Sequence, residues 1–201
     1  MKKKIQITAF VVVTVIGIIL ILDGYGLFAD VQFRRQQAGP YILIYETRTG
    51  DYKASGAIMG QVRTTLAEKF NLKCPRTFGL YYDSPESTET VNLRSIAGCI
   101  MDRDDEYKNV SELKDKGISF GIAELPQTES ITTDFPFKGT LSIVFGVMRV
   151  YPKLKAYIQD NHIAPKPIME LYDPVNEKIT YMLPLDISTE SLEKLLNTPT
   201  P

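Results

Sequence analysis

The segment Ile168-Met169-Glu170-Leu171-Tyr172 sets a lone carboxylate in the middle of an apolar and aromatic run. As a strand, its alternate side chains Ile168, Glu170 and Tyr172 share one face. A second segment of the same cast, Phe78-Gly79-Leu80-Tyr81-Tyr82, is expected to bring Phe78, Leu80 and Tyr82 to the matching face. Burying an unpaired carboxylate costs roughly several kcal/mol. Glu170 must therefore take a cation, rise in pKa, or stay at the surface. The first option makes it a binding residue for a cation, with each aromatic face adding about 0.5–2 kcal/mol. The structural alternative pairs it with a neighbouring Lys or Arg.

Other reactive side chains are few. His162 is the only histidine, it reads as a helix-end residue, and no metal site or Ser/His/Asp triad is expected. Asp102-Arg103-Asp104-Asp105-Glu106 reads as a solvated loop, and Asp83 and Arg94 read as structural. Asn109-Val110-Ser111 fits a glycosylation sequon. No cofactor motif is present, so no cofactor is expected. Cys74 and Cys99 are two buried hydrophobes, or one disulfide if the domain faces an oxidising compartment. The sequence leaves both open.

The elements that must position Glu170 occur as a strand–helix–strand–strand unit, twice. In the first copy these are Tyr41 to Thr49, a helix from Gly56 to Phe70, Phe78 to Tyr82, and Leu93 to Met101. In the second, Glu129 to Phe135 precedes a helix from Thr140, with Leu141, Val144, Phe145 and Met148 on one stripe. Pro152 ends or kinks that helix, and a continuation reaches Asp160. The strands Ile168 to Tyr172 and Lys178 to Leu185 follow, and Gly121 to Leu125 reads as an extra strand bridging the copies. Phe78 to Pro85 lies over Ile168 to Pro174, with one residue fewer in the second turn. Such a doubled βαββ unit predicts an α+β domain of pseudo-two-fold symmetry built on one mixed sheet. Helices cover one face, and the other is left concave, with a cleft where the copies meet.

Ahead of the domain, Lys2-Lys3-Lys4 precedes an apolar run from Ile5 to Leu22. Eleven Phe, Val, Ile or Leu residues between Phe10 and Leu22 offer roughly −3 to −7 kcal/mol towards insertion. The run is longer than the core of a cleaved signal, and Leu27-Phe28-Ala29 lacks the small-x-small pair of a cleavage site. The chain is expected to divide into a basic start (1–4), a transmembrane anchor (5–22), a connector (23–39), the domain (40–187) and a tail (188–201). With three lysines before the helix and Asp23 and Asp30 after it, the positive-inside rule puts the N-terminus in the cytoplasm and the domain outside. The net charge of −1 argues against a nucleic-acid partner.

Phe78-Gly79-Leu80-Tyr81-Tyr82-Asp83-Ser84-Pro85, followed by Leu93-Arg94-Ser95 and Gly98, resembles the central signature of GyrI-like domains, the effector-binding domains of multidrug-sensing regulators. Phe135-Pro136-Phe137, Leu141-Ser142-Ile143, Tyr151-Pro152-Lys153-Leu154, Tyr157-Ile158 and Glu170-Leu171-Tyr172 are similar to its membrane-anchored branch, typified by the testis-expressed ER-phagy receptor. The resemblance spans about residues 38 to 187 and implies the duplicated βαββ fold. It also implies a glutamate, here Glu170, that receives cationic lipophilic ligands. Some members resemble hydrolases of strained cyclopropane electrophiles that use a Glu, a Tyr and a Trp. Glu170 and the candidates Tyr82 and Tyr172 are present, but the chain has no Trp. The expected function is a membrane-tethered small-molecule-binding module. The alternatives are a hydrolase of lipophilic electrophiles at the same cleft, and an adaptor that recruits an unspecified protein partner.

Overall fold

The computed structural model describes residues 2–102, 114, 115 and 117–197. Residues 103–106 of the charge run and the sequon at Asn109 lie outside the described residues.

The first helix, α1 (Lys2–Gly24), is long and apolar enough to cross a membrane, and none of its apolar window is buried against the domain. At 1.5 Å per residue its 23 residues span about 34 Å, against about 30 Å of bilayer hydrocarbon.

Eight strands form one sheet: β1 (Arg34–Ala38), β2 (Tyr41–Thr49), β3 (Arg76–Tyr81), β4 (Arg94–Asp102), β5 (Gly121–Leu125), β6 (Thr128–Pro136), β7 (Ile168–Asp173) and β8 (Lys178–Pro184). Their spatial order is β1-β6-β8-β7-β3-β4-β2-β5, and every pairing is antiparallel. The sheet is therefore not mixed, as the repeat had suggested. Only Gly39-Pro40 joins β1 to β2, and only Pro126-Gln127 joins β5 to β6, yet those strands lie at opposite ends of the order. The two ends must meet, so the sheet curls around.

The registers expose an internal two-fold. An offset of 87 residues carries β1 and β2 onto β5 and β6 and exchanges the β1·β6 pairing with the β2·β5 pairing. Each repeat is therefore strand–strand–helix–strand–strand. Gly121–Leu125 opens the second copy rather than bridging the two, and Arg34–Ala38 is its counterpart in the first. At the seam between copies Gly79 stands opposite Glu170 and Tyr81 opposite Ile168, so residues of the two strands that share a face differ in number by an odd offset. The turn-based alignment of Asp83 on Asp173 implies 90, an even one. That difference matters below.

Helices α2 (Ser55–Phe70) and α3 (Thr140–Asp160) pack on one face of the sheet. Helix α2 buries Ile58, Met59, Val62 and Leu66 and ends at Asn71, which takes a left-handed conformation at φ 53°. Helix α3 runs through Pro152 without ending, although the proline has no N–H to give the Met148 carbonyl. Its buried stripe is Ser142, Gly146, Val150 and Leu154, whereas Leu141, Val144 and Met148 point to solvent. The apolar stripe read from the sequence is thus mostly the outer one. Gly146 contributes to this: a Cβ there would come 2.2 Å from the Tyr181 hydroxyl, so that position on the sheet side has no room for a side chain.

The opposite face carries Leu43, Tyr45, Phe78, Leu80, Ile96, Met169 and Leu171. It is not an open concavity. A short helix α4 (Thr189–Glu193) and the 3-10 turn after it lay Leu192, Leu195 and Leu196 over it. Tyr82 donates its hydroxyl to the Leu192 carbonyl at 2.7 Å, and Tyr45 donates to Leu195 at 3.0 Å. The packed unit thus takes in residues on both sides of 40–187.

Two local ties fix the first copy. Cys74 and Cys99 are disulfide-bonded, with Cα atoms 5.7 Å apart, joining the loop after α2 to the middle of β4. Asp83 accepts from the Arg94 backbone N–H at 2.7 Å and from its guanidinium at 2.8 Å, which closes the β3–β4 connection. The guanidinium holds the Asp83 carboxyl below its usual range.

Candidate functional site

Glu170 sits in the centre of β7, 3% exposed, on the face covered by α3. Because directly paired residues of antiparallel strands share a face, its neighbours follow from the register. Tyr181 of β8 and Gly79 of β3 lie directly opposite it. Tyr172, two residues along β7, is on the same face and donates its hydroxyl to Glu170 Oε2. From above, Tyr151 of α3 donates to Glu170 Oε1 at 2.6 Å. Tyr151 and Tyr181 meet edge to face, with ring centroids 5.9 Å apart.

Gly79 completes the arrangement by what it lacks. A Cβ at that position would stand 2.4 Å from the Tyr81 hydroxyl, so the ring of Tyr81 occupies the space a side chain would take. Its hydroxyl interacts with Ser55 and Tyr172 and feels the charge of Glu170. The carboxylate is thus enclosed by Tyr81, Tyr151, Tyr172 and Tyr181, drawn from three strands and one helix. Among the described residues Glu170 forms no ion pair, and its two hydrogen-bond donors are neutral hydroxyls.

Burial raises the Glu170 pKa, because removing water penalises the charged form, while the hydroxyls of Tyr151 and Tyr172 oppose that rise in part. Burial also raises the pKa values of Tyr81, Tyr151, Tyr172 and Tyr181, and the nearby Glu170 charge adds to this. All four phenols therefore stay protonated, as donors and apolar walls. Among these five groups Glu170 is therefore the one that titrates below the phenols, with its pKa raised by burial.

Of the residues expected at the site, Glu170 and Tyr172 come together. Ile168 shares their face but packs with Leu154, Tyr157 and Ile158 further along α3. Phe78, Leu80 and Tyr82 do not join them. Phe78 is paired with Leu171 and Leu80 with Met169, so both point to the opposite face, beneath the C-terminal residues. Tyr82 lies past the end of β3, its hydroxyl on Leu192 and its ring 5.9 Å from the Arg94 guanidinium carbon. The physical reason is the seam offset, since a slip of one residue turns every side chain over.

Tyr81, Tyr151 and Tyr181 were missed in the sequence. The signal for Tyr181 was present: the hairpin that puts Asp173 opposite Lys178 also puts Glu170 opposite Tyr181. Nothing local marks Tyr81 or Tyr151.

Two surface hollows lie elsewhere. One of about 380 Å3 is lined by Thr47, Thr49, Arg94 and Glu193, and one of about 120 Å3 by Gln37, Arg76, Asp134 and Lys178. Neither reaches Glu170, which is closed over by Tyr151 and α3.

Neither a protein-family model nor a curated protein sequence matches the chain. Solved structures do. EcmrR, in a cryo-EM structure of the EcmrR–DNA complex in EcmrR-RPo, is 15% identical over 91% of this chain and 67% of that one, with a TM-score of 0.51. The EcmrR C-terminal domain in crystals is 13% identical, with 79% of this chain and 99% of that one covered and a TM-score of 0.49. SAV2435 bound to tetraphenylphosphonium is also 13% identical, at 77% and 94% coverage and a TM-score of 0.46. The chain thus shares the fold of EcmrR, which agrees with the duplicated α+β fold that its resemblance to GyrI-like domains implies.

Proposed function

We propose that this chain is a membrane-anchored GyrI-like module that binds lipophilic, cationic small molecules through Glu170. The observation that carries the proposal is a carboxyl group buried to 3% exposure, with no basic partner among the described residues, inside a wall of tyrosines. A bound cation supplies the charge that Glu170 lacks, and tyrosine rings offer it their negative faces. The ligand takes the place of the hydroxyl that Tyr151 now gives, so entry requires Tyr151 and the turn of α3 around it to shift. Pro152 makes that turn the weakest of the helix, because the Met148 carbonyl has no intrahelical donor there. Phe78, Leu80 and Tyr82 form no part of this site.

In the same proposal α1 is the anchor, with the N-terminus cytoplasmic and the domain outside. Lys2, Lys3 and Lys4 support that orientation through the positive-inside rule. The Cys74–Cys99 disulfide supports it independently, since such bonds persist in oxidising compartments.

The test is equilibrium binding of tetraphenylphosphonium to the full chain in detergent micelles. The parent should bind, and Glu170→Gln, with an unchanged circular dichroism spectrum, should bind at least about tenfold more weakly, the loss of about 1.4 kcal/mol or more of charge attraction. Equal affinity in the two proteins would sink the proposal.

A further inference from the structure

Helix α3 turns the wrong residues outward for a surface in water. Leu141, Val144 and Met148, spaced three and four apart on one side, are 46%, 46% and 65% exposed, and Phe28 in the segment after α1 is 59% exposed. The foot of α1 stands beside the start of this helix, because a Cβ on Gly24 would lie 3.6 Å from Lys138 Nζ. From there residues 25–33 are fastened along α3. Arg149 Nε donates to the Ala29 carbonyl at 3.0 Å, Lys153 lies 3.7 Å from Asp30, and the rings of Phe33 and Tyr157 are 5.1 Å apart. Val31 is buried in the domain core. The anchor's exit and the first half of α3 therefore belong to one packed body, with no slack linker between them.

We propose that the outer stripe of α3, together with Phe28, rests on the lipid surface, at the boundary of headgroups and acyl chains. This rests on α1 being a membrane anchor. A bilayer that α1 leaves at Gly24 meets Lys138 at once, where a cation suits headgroup phosphates. Met148 lies about 12 Å along the helix axis from Thr140, so the apolar stripe occupies the stretch of α3 nearest the membrane. A lipid surface is the occupant that the position of the anchor selects, and it accounts for apolar side chains on a face that the sheet does not need. The same helix carries Tyr151 over Glu170, so the site lies directly behind the face that touches lipid.

The chain has no Trp, so a single introduced Trp reports alone. Met148→Trp, Phe28→Trp, Ile16→Trp and Val91→Trp are each placed in the full chain and reconstituted into phosphatidylcholine/phosphatidylglycerol vesicles with brominated acyl chains. Ile16 is inside α1, whereas Val91 is exposed between β3 and β4, at the opposite end of the sheet from the β7–β8 turn that contacts Phe137. Bromine quenching at Met148 and Phe28 at least about twofold above that at Val91 is the expected result. Quenching at Ile16 with Met148 no different from Val91 overturns the proposal while leaving the anchor intact. A blue-shifted, unquenched Trp at position 148 overturns it too, because protein then covers the stripe. Absence of quenching at Ile16 overturns the anchor itself, and this proposal with it.

Discussion

Glu170→Gln is expected to resist urea better than the parent at neutral pH, and its advantage should widen as pH rises. The carboxyl is buried and its folded-state pKa is raised from an ordinary value of 4.5, so the native state holds the proton more tightly than the unfolded chain. Stability linked to that proton is fully present below the unfolded value and disappears as pH rises through the folded one. Above that window the parent keeps a buried carboxylate without a cation, a penalty of about 1–3 kcal/mol that glutamine avoids. Glutamine keeps the shape and still offers an oxygen to Tyr151 or Tyr172. The four surrounding phenols do not blur the comparison, since their raised pKa values keep them neutral throughout. Urea titrations of both proteins from acid to mildly alkaline pH check this. Two parallel stability curves would mean that Glu170 does not carry the titration.

The second large effect belongs to the disulfide. Cys74 and Cys99 are separated by 25 residues, and cross-linking a loop of that length is worth about 3 kcal/mol through the unfolded chain. The loop contains all of β3, the strand that faces β7 across the seam. The double variant Cys74→Ala/Cys99→Ala should therefore lose about 3 kcal/mol, and a reductant should bring the parent to nearly the same stability. The variant itself should ignore the reductant. A parent indifferent to reduction, with a variant of equal stability, would leave the bond without a role. The bond also bears on Glu170, because strand β3 supplies Gly79 and Tyr81 to the enclosure.

Much of the architecture was legible because hydrophobic periodicity survives in the strands that build the core. Tyr41–Thr49, Ile168–Asp173 and Lys178–Pro184 were all visible to within a residue or two. Arg34–Ala38 was not, because Arg-Arg-Gln-Gln-Ala has no apolar alternation, and only pairing with β6 makes it a strand. The five residues of α4 are too short for a period to declare itself.

Glu170 stands out as a carboxylate in an apolar strand, and of the outcomes open to it the structure shows burial with a raised pKa. Its partners did not follow, because the seam between the copies is a long-range pairing. Turn residues align Leu80 with Glu170 and so put both on one face, whereas the sheet pairs Glu170 with Gly79 and turns Leu80 to the other face. No local feature of either strand distinguishes those two registers. Helix α3 misled for a different reason. Apolar spacing normally marks the buried side, but Gly146 faces the sheet here because the Tyr181 side chain already fills that space. Leu141, Val144 and Met148 of that apolar stripe are exposed instead, and they form the surface proposed above to rest on lipid.

The most direct test of a carboxylate that trades a proton for a cation is to count the protons. Tetraphenylphosphonium is titrated calorimetrically into the full chain in micelles, in two buffers of different ionisation enthalpy, at several pH values. At pH below the raised pKa of Glu170, about one proton should leave for each cation bound, and affinity should climb with pH in step. In Glu170→Gln the release should vanish. Binding without proton release at any pH, or release that persists in Glu170→Gln, would contradict the assignment of Glu170 as the ligand's counter-charge.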